Sequence, residues 1–139
     1  MMLLITFIIS NSSFSQNECK AIEHKKENIS RLAPGFDYKH TFEVNFSTAK
    51  NGMVEFNYIL NRGTLYMLNM SNTDGIEKGL IVKLYDQQGN LVGTNYDPGT
   101  ERFWPIGYAC NQSGVHKIKV ELVSSIKSKC GIVVLGARK

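Results

Sequence analysis

Hydrophobic and polar residues alternate along most of the chain after residue 36. A period of two places successive side chains on opposite faces of an extended strand, so each alternating run predicts a β-strand with one buried face. The predicted inward positions are Tyr38, His40, Phe42, Val44 and Phe46 in the first run, Val54, Phe56, Tyr58 and Leu60 in the second, and His116, Ile118, Val120 and Leu122 in a late one. The run 64–71 is apolar on both faces, which predicts a central strand.

Turn signals separate these runs at short intervals, as at Asn51-Gly52 and Asp97-Pro98-Gly99. The pattern predicts about eight short strands with a turn every 8–12 residues or so and no alternation with helices. It indicates an all-β fold, an antiparallel, jelly-roll-like β-sandwich with a short N-terminal helix or arm. Pro105 has no N–H group to donate, so the run around it is expected at an edge or a bulge.

The first 35 residues differ from the rest of the chain. Residues 1–15 carry no charge, and the apolar run 1–9 is much shorter than the ~20 residues of a membrane span. With Ser13 and Ser15 at the −3 and −1 positions, they predict a signal peptide, although a buried N-terminal strand would also be apolar. Residues 16–35 are predicted to form a helical arm, in which Cys19, Ile22, Ile29 and Leu32 share one face. Residues 36–139 are predicted to form the sandwich domain.

A signal peptide implies a secreted or periplasmic protein, in which disulfides form readily. The three cysteines allow three pairings. Cys110–Cys130 is favoured because each residue borders a strand-like run and the loop of 19 residues would restrict the unfolded chain by ~3 kcal/mol. Cys19–Cys130 is the main rival, because it would tie the N-terminal segment to the last strand, and Cys19–Cys110 is the third possibility.

Charge favours no particular partner. The net charge is +4, and residues 116–139 hold six Lys and Arg residues against Glu121 alone. A basic patch can attract anionic polysaccharide, lipid or nucleic acid, but lysines also keep the edges of sheets soluble. Nucleic acid is not expected, because the chain is predicted to be exported and its basic residues are not interleaved with aromatic ones.

The chain shows no assembled catalytic or metal-binding motif. There is no G-x-S-x-G sequence, and Ser113 lies in a turn near His116. Asp86, Asp97 and Glu101 could act as paired carboxylates, but Asp is also a common turn residue. The histidines are scattered and no acidic cluster is dense enough for calcium, so neither a metal nor a cofactor is expected.

Aromatic residues concentrate around the turn at Asp97-Pro98-Gly99. Tyr96, Phe103, Trp104 and Tyr108 could form a rim on which a sugar stacks or a protein partner anchors. Adjacent strand residues point to opposite faces, so Phe103 and Trp104 cannot both lie in the core.

The second half of the chain, roughly residues 64–137, resembles pre-peptidase C-terminal-like and GOLD-like β-sandwiches in small secreted bacterial proteins. The similar features are the hairpin Leu84-Tyr85-Asp86 with Gly89 and Leu91, the segment Cys110, Ser113 and Gly114, and the closing strand with Cys130, Gly131 and Leu135. The family pattern has an aromatic residue where this chain has His116. The resemblance implies an eight-stranded sandwich, a Cys110–Cys130 bridge and no enzymatic activity.

These observations favour a non-enzymatic secreted binding or protein-interaction module. A carbohydrate-binding module that uses the aromatic rim is the alternative, and a small hydrolase ranks below both. The sequence identifies no protein or glycan partner and no oligomeric state, and it predicts no membrane span.

Overall fold

The computed structural model describes residues 20–49, 51–72, 79–122 and 130–139. The predicted signal peptide of residues 1–15 lies outside this part of the chain, as do Cys19 and most of two loops, at 73–78 and 123–129.

Two four-stranded antiparallel sheets form the body of the protein. Sheet A has the strand order β1-β10-β3-β8, and sheet B has the order β2-β9-β4-β5. The strands of sheet A are β1 (Asp37–Asn45), β3 (Leu65–Asn72), β8 (Ile106–Ala109) and β10 (Cys130–Arg138). Those of sheet B are β2 (Met53–Leu60), β4 (Leu80–Tyr85), β5 (Leu91–Thr94) and β9 (Gly114–Leu122). A short ribbon of β6 (Tyr96–Asp97) and β7 (Arg102–Phe103) lies between β5 and β8 along the chain.

Successive strands alternate between the sheets for most of the chain, which is jelly-roll topology. The short turns that connect β2 to β3, β4 to β5 and β8 to β9 lie together, and we call this the turn end. The β6–β7 ribbon lies at the opposite end, which we call the ribbon end. The predicted all-β sandwich is therefore confirmed.

The core lies between the two sheets and includes most of the inward side chains that the alternation predicts. Phe42, Val44, Leu68 and Leu135 come from sheet A, and Leu60, Val82, Ile118 and Val120 from sheet B. Burial of these side chains is the main favourable contribution to folding. Val54, Phe56, Tyr58 and Leu122 pack against the same core but are only partly buried.

The N-terminal segment forms a 3-10 helix (Lys20–His24) followed by the α-helix α1 (Lys25–Ser30). Ala21, Ile22, Ile29 and Leu32 pack on the outer face of sheet A, against Ile132 and Val134 of β10. Leu32 lies so close to Gly136 that a Cβ there would be 2.8 Å from its side chain. The helical segment thus buries the second face of β10, and the predicted apolar stripe faces the sheet.

Polar groups also join the helical segment to sheet A. The amide of Asn28 donates to the Ser71 hydroxyl and to the carbonyl of His24, at 2.9 Å in the latter case. In return, the Asn69 amide donates to the carbonyl of Asn28 at 3.0 Å. Asn28 and Ser71 are fully buried, so loss of either partner would leave a buried polar group unpaired.

One predicted inward position is wrong. The β1–β10 register shifts between Tyr38 and His40, which marks a β-bulge at Lys39. His40 remains on the inner side and stacks on Tyr58, with ring centroids 5.3 Å apart. Tyr38 pairs with Gly136 on the outer side, where the Lys25 ammonium lies 5.2 Å from its ring centre. An extra residue in the strand reverses the alternation, and sequence periodicity does not reveal it.

The predicted Cys110–Cys130 disulfide is also wrong, because Cys110 is a buried free thiol. Its N–H bonds to the carbonyl of Thr64, before β3, whereas Gly131 pairs with Asn72 at the other end of β3. The length of β3 separates the two cysteines by roughly 24 Å, and a disulfide needs Cα atoms within about 7 Å. Cys130 itself is not a free thiol.

Candidate functional site

The outer face of sheet B carries exposed apolar side chains and no described segment of the chain covers it. Ile59 and Val115 are opposite each other on β2 and β9 and are 64% and 51% exposed. Leu91, 52% exposed, is opposite Tyr85 on the neighbouring strand pair. We call the set Ile59, Tyr85, Leu91, Val115, Lys117 and Lys119 the open face.

Lysines and a tyrosine border the apolar pair. Lys117 lies next to Tyr85 across the β4–β9 pairing, and the Lys119 ammonium is 4.9 Å from the centre of the Tyr85 ring. Both lysines also approach Glu55, with N–O distances of 3.7 and 3.6 Å. These ion pairs are exposed and contribute little to stability, so they can be exchanged for contacts with a partner.

Two shallow depressions lie on the open face near the turn end. Tyr85, Lys117 and Lys119 line one of about 510 Å³, together with Asp86 and Gln87. Ile59 and Val115 line a second of about 520 Å³. The arrangement combines an apolar centre, an aromatic ring and partly exposed cationic groups, which suits contact with another macromolecule.

The loops of the turn end hold one another through hydrogen bonds, which fixes the border of the open face. The Gln87 amide donates to the carbonyls of Gln112 and Ser113, at 3.3 and 2.6 Å. The Ser113 hydroxyl accepts from the N–H of Arg62 at 2.8 Å. The loops after β2, β4 and β8 therefore form one connected unit.

The predicted aromatic rim is divided between the surface and the core. The rings of Tyr96 and Phe103 pack together at 4.7 Å, and the adjacent Trp104 is 41% exposed at the ribbon end. Tyr108 lies elsewhere, buried between the sheets, and its hydroxyl is 3.0 Å from Nε2 of His116. The structure thus brings Tyr96, Phe103 and Trp104 together and leaves Tyr108 out.

His116 is fully buried and joins the two sheets. Its Nδ1 donates to the carbonyl of Gly114 at 2.9 Å, so in the neutral ring Nε2 accepts from the hydroxyl of Tyr108. Burial, with a further contribution from the hydrogen bond with Cys110, raises the pKa of Tyr108 to about 12. Tyr108 is therefore a neutral donor throughout the physiological range. Both nitrogens of His116 are occupied, and its hydrogen bonds do not include Ser113.

The candidate carboxylates serve turns. Asp86 accepts from the N–H groups of Gln88 and Asn90, at 3.0 and 2.8 Å. Asp97 accepts from the N–H of Gly99 and the hydroxyl of Thr100. Glu101, which has a φ of 55°, is exposed. This is the turn role that the sequence favours for the two aspartates.

Asn95 has a structural role that the sequence analysis missed. Its side chain is fully buried, accepts from the N–H of Val82 at 2.6 Å and donates to the carbonyl of Leu80 at 2.7 Å. The carbonyl of Asn95 also accepts from the N–H of Trp104 at 2.9 Å. Asn95 therefore holds the β6–β7 ribbon, and Trp104 with it, against β4. Its position between strand-like runs resembles that of an ordinary loop asparagine.

In the described residues, no group of three or more His, Cys, Asp or Glu side chains is placed to hold a metal ion. None of the described helices is both long and apolar enough to cross a membrane. No protein-family model matches the chain, and no curated protein matches its sequence.

Proposed function

We propose that this protein is a secreted or periplasmic, non-enzymatic module that binds another protein through the open face. The observation that carries the proposal is the exposed pair Ile59–Val115 on a sheet whose other outward positions are largely polar. Apolar residues grouped on an otherwise soluble surface commonly mark interaction sites.

The charges around this pair indicate what kind of partner fits. Lys117 and Lys119 flank the apolar centre and share a single carboxylate, that of Glu55. A partner with an apolar patch bordered by acidic residues would complement both features. The absence of catalysis is part of the proposal, since Asp86, Asp97 and Ser113 are already engaged in turn hydrogen bonds.

The test is affinity capture from the native host with three forms of the protein, followed by quantitative mass spectrometry. Val115→Glu places a negative charge at the centre of the open face and should abolish capture of the specific partner. Ala109→Glu changes an exposed apolar residue on β8, in the other sheet, and should leave capture unchanged. Capture that is equal for all three forms would overturn the proposal.

A second candidate function is carbohydrate binding at the ribbon end. It is favoured by the exposed Trp104 beside the packed rings of Tyr96 and Phe103, because flat aromatic rings stack on sugar faces. A glycan array should then show binding that Trp104→Ala removes and Ala109→Glu retains. An array without signal, or signal that persists in Trp104→Ala, would remove this candidate.

The proposed compartment also bears on Cys130. We propose a Cys19–Cys130 disulfide, the main rival pairing from the sequence. Two observations support it: Cys110 is free, and Cys130 packs in one cluster with Ala21, two residues after Cys19. Such a bond would fasten the helical segment to β10.

A further inference from the structure

The four edge strands of the two sheets are protected to very different degrees. Strands β5 and β8 have only four residues each, and β1 is interrupted by the bulge at Lys39. Strand β2 has eight residues and pairs with β9 in unbroken register over its whole length. It has no proline and one charged residue, Glu55. A long, regular, weakly charged edge is a template for pairing with another strand.

The side chains of β2 that face the core are also incompletely covered. Val54, Phe56 and Tyr58 point toward the core, yet each is only partly buried. In the described part of the chain β2 pairs only with β9, so its far side has no strand to complete the cover. A groove of about 390 Å³ opens there between β2 and β1, and Tyr58, Asn61 and Tyr66 contribute to its lining.

We propose that β2 pairs in antiparallel fashion with β2 of a second copy of this chain, about a two-fold axis at Asn57. The two B sheets would then form one continuous eight-stranded sheet. Such an interface is isologous, because the same strand serves both sides.

The sequence of β2 is self-complementary in this register. In a continuous sheet, each inward residue of one copy must lie opposite an inward residue of the other copy. The two-fold axis must therefore pass through a residue of β2, because an axis between two residues would place inward side chains opposite outward ones. An axis at Asn57 places Phe56 opposite Tyr58 of the second copy and Val54 opposite its Leu60. These pairs would extend the core across the interface and cover the partly buried side chains. An aromatic pair adds stability beyond the area that it buries.

Charge and polarity on the outer side agree with this axis. Glu55 would lie opposite Ile59 of the second copy, and the two Glu55 carboxylates would be roughly 13 Å apart along the strands. An axis at Glu55 would place like charges directly opposite each other, which is destabilising. At the proposed axis the two Asn57 amides face each other and can exchange hydrogen bonds.

A first test measures the molecular mass of the protein in solution as a function of its concentration, by light scattering or sedimentation. It uses the whole chain under non-reducing conditions. The wild type should form a concentration-dependent dimer, because one strand pair buries less than the ~1,200 Å² of a standard interface. Asn57→Lys should make the protein monomeric at every concentration, because two ammonium groups would meet at the axis. Asn111→Lys, at an exposed turn position, is the matched control and should dimerise like the wild type.

A second test fixes the register by mild oxidation. Asn57→Cys should cross-link to itself as a covalent dimer, while Glu55→Cys and the wild type should not. Melting curves confirm that each variant is folded. The proposal is overturned by a wild type that stays monomeric into the millimolar range, by a dimer that Asn57→Lys leaves intact, or by cross-linking of Glu55→Cys instead.

Occupation of the β2 edge by an extended segment of a different protein, or by another segment of this chain, would give a monomer and count against the proposal. The inference is independent of the proposed function, because Val115→Glu removes partner capture but lies outside the β2 pairing. A dimer without partner capture, or capture by a monomer, would separate the two.

Discussion

Sheet A and sheet B contribute similar inner faces to one core, but their outer faces differ sharply. On sheet A the outward residues Ile132 and Val134 are fully buried beneath the helical segment. On sheet B the outward residues Ile59 and Val115 are more than half exposed. Both pairs are aliphatic and lie on regular strands, so their chemistry alone does not explain the difference.

The residues around each pair do explain it. Residues 130–137 of β10 are buried without exception, so an apolar second face accompanies the first. In β9 the outward residues after Val115 are Lys117, Lys119 and Glu121, which remain solvated. A strand that is apolar on both faces must be covered on both faces by other parts of the protein. An isolated apolar pair among charged residues, in contrast, can stay exposed in a folded monomer and can contribute to an interface with a partner.

The largest expected effect comes from matched valines on the two outer faces. Val134→Glu would bury an unpaired carboxylate beneath the helical segment and should cost about 5 kcal/mol or more, close to the whole stability of a small domain. Val115→Glu should change stability by less than about 0.5 kcal/mol. Urea unfolding measures both, and similar midpoints for the two variants would show that the two outer faces are equally accessible.

The next effect concerns attachment of the helical segment to sheet A. Reduction of the proposed Cys19–Cys130 bond should destabilise the protein by about 3 kcal/mol, a typical value for a disulfide. Peptide mapping without reductant should find Cys19 joined to Cys130, and Cys110 should react with a thiol reagent only after unfolding. An alkylated Cys130 in native protein, or a melting temperature that reductant does not change, would contradict the proposal.

A smaller effect is expected from the polar contact within the covered face. Asn28→Ala removes the donor to Ser71 and the His24 carbonyl and should cost about 1–2 kcal/mol, since a buried hydroxyl loses its partner. Asn111→Ala, at an exposed position, should be neutral in the same urea experiment. Equal stability of the two variants would mean that apolar packing alone holds the helical segment.

The smallest effect lies beside the open face, at Asp86. Burial alone would raise the pKa of Asp86, but hydrogen bonds from Asn90 and Gln88 outweigh it and lower that pKa below the ordinary value. A lowered folded-state pKa stabilises the protein above the unfolded pKa, and this stability is lost as the pH falls through the folded value. The melting temperature should therefore fall slightly more for the wild type than for Asp86→Ala between about pH 5 and pH 3. Parallel pH profiles would show that the turn does not depend on the carboxylate.

Periodicity predicted the strands and most inward positions, since His116, Ile118 and Val120 are buried as expected. It failed at Tyr38, because one bulged residue exchanges the two faces of a strand. Periodicity also could not show which cysteines form a disulfide. Cys110 and Cys130 are close in sequence, but β9 carries the chain from the turn end to the ribbon end before β10 begins at Cys130, so the two residues lie at opposite ends of β3.

Part of the candidate site could be predicted from the sequence. Tyr108 lies two residues after Ile106 and therefore on the same face of β8, which indicates an inward position. Ile59 lies between Tyr58 and Leu60, so one of three consecutive apolar residues had to face outward. What the sequence could not give is the pairing of Ile59 with Val115, because strand order depends on contacts between distant segments.

The position of β10 has a consequence for how the protein is made. β10 lies between β1 and β3 and carries the helical segment on its back, so three earlier parts of the chain share it as their neighbour. Until residues 130–138 have been synthesised, those parts have no common scaffold, and half of the sandwich cannot close. Sheet A therefore depends on contacts between segments that are far apart in the chain, and such contacts form slowly during folding.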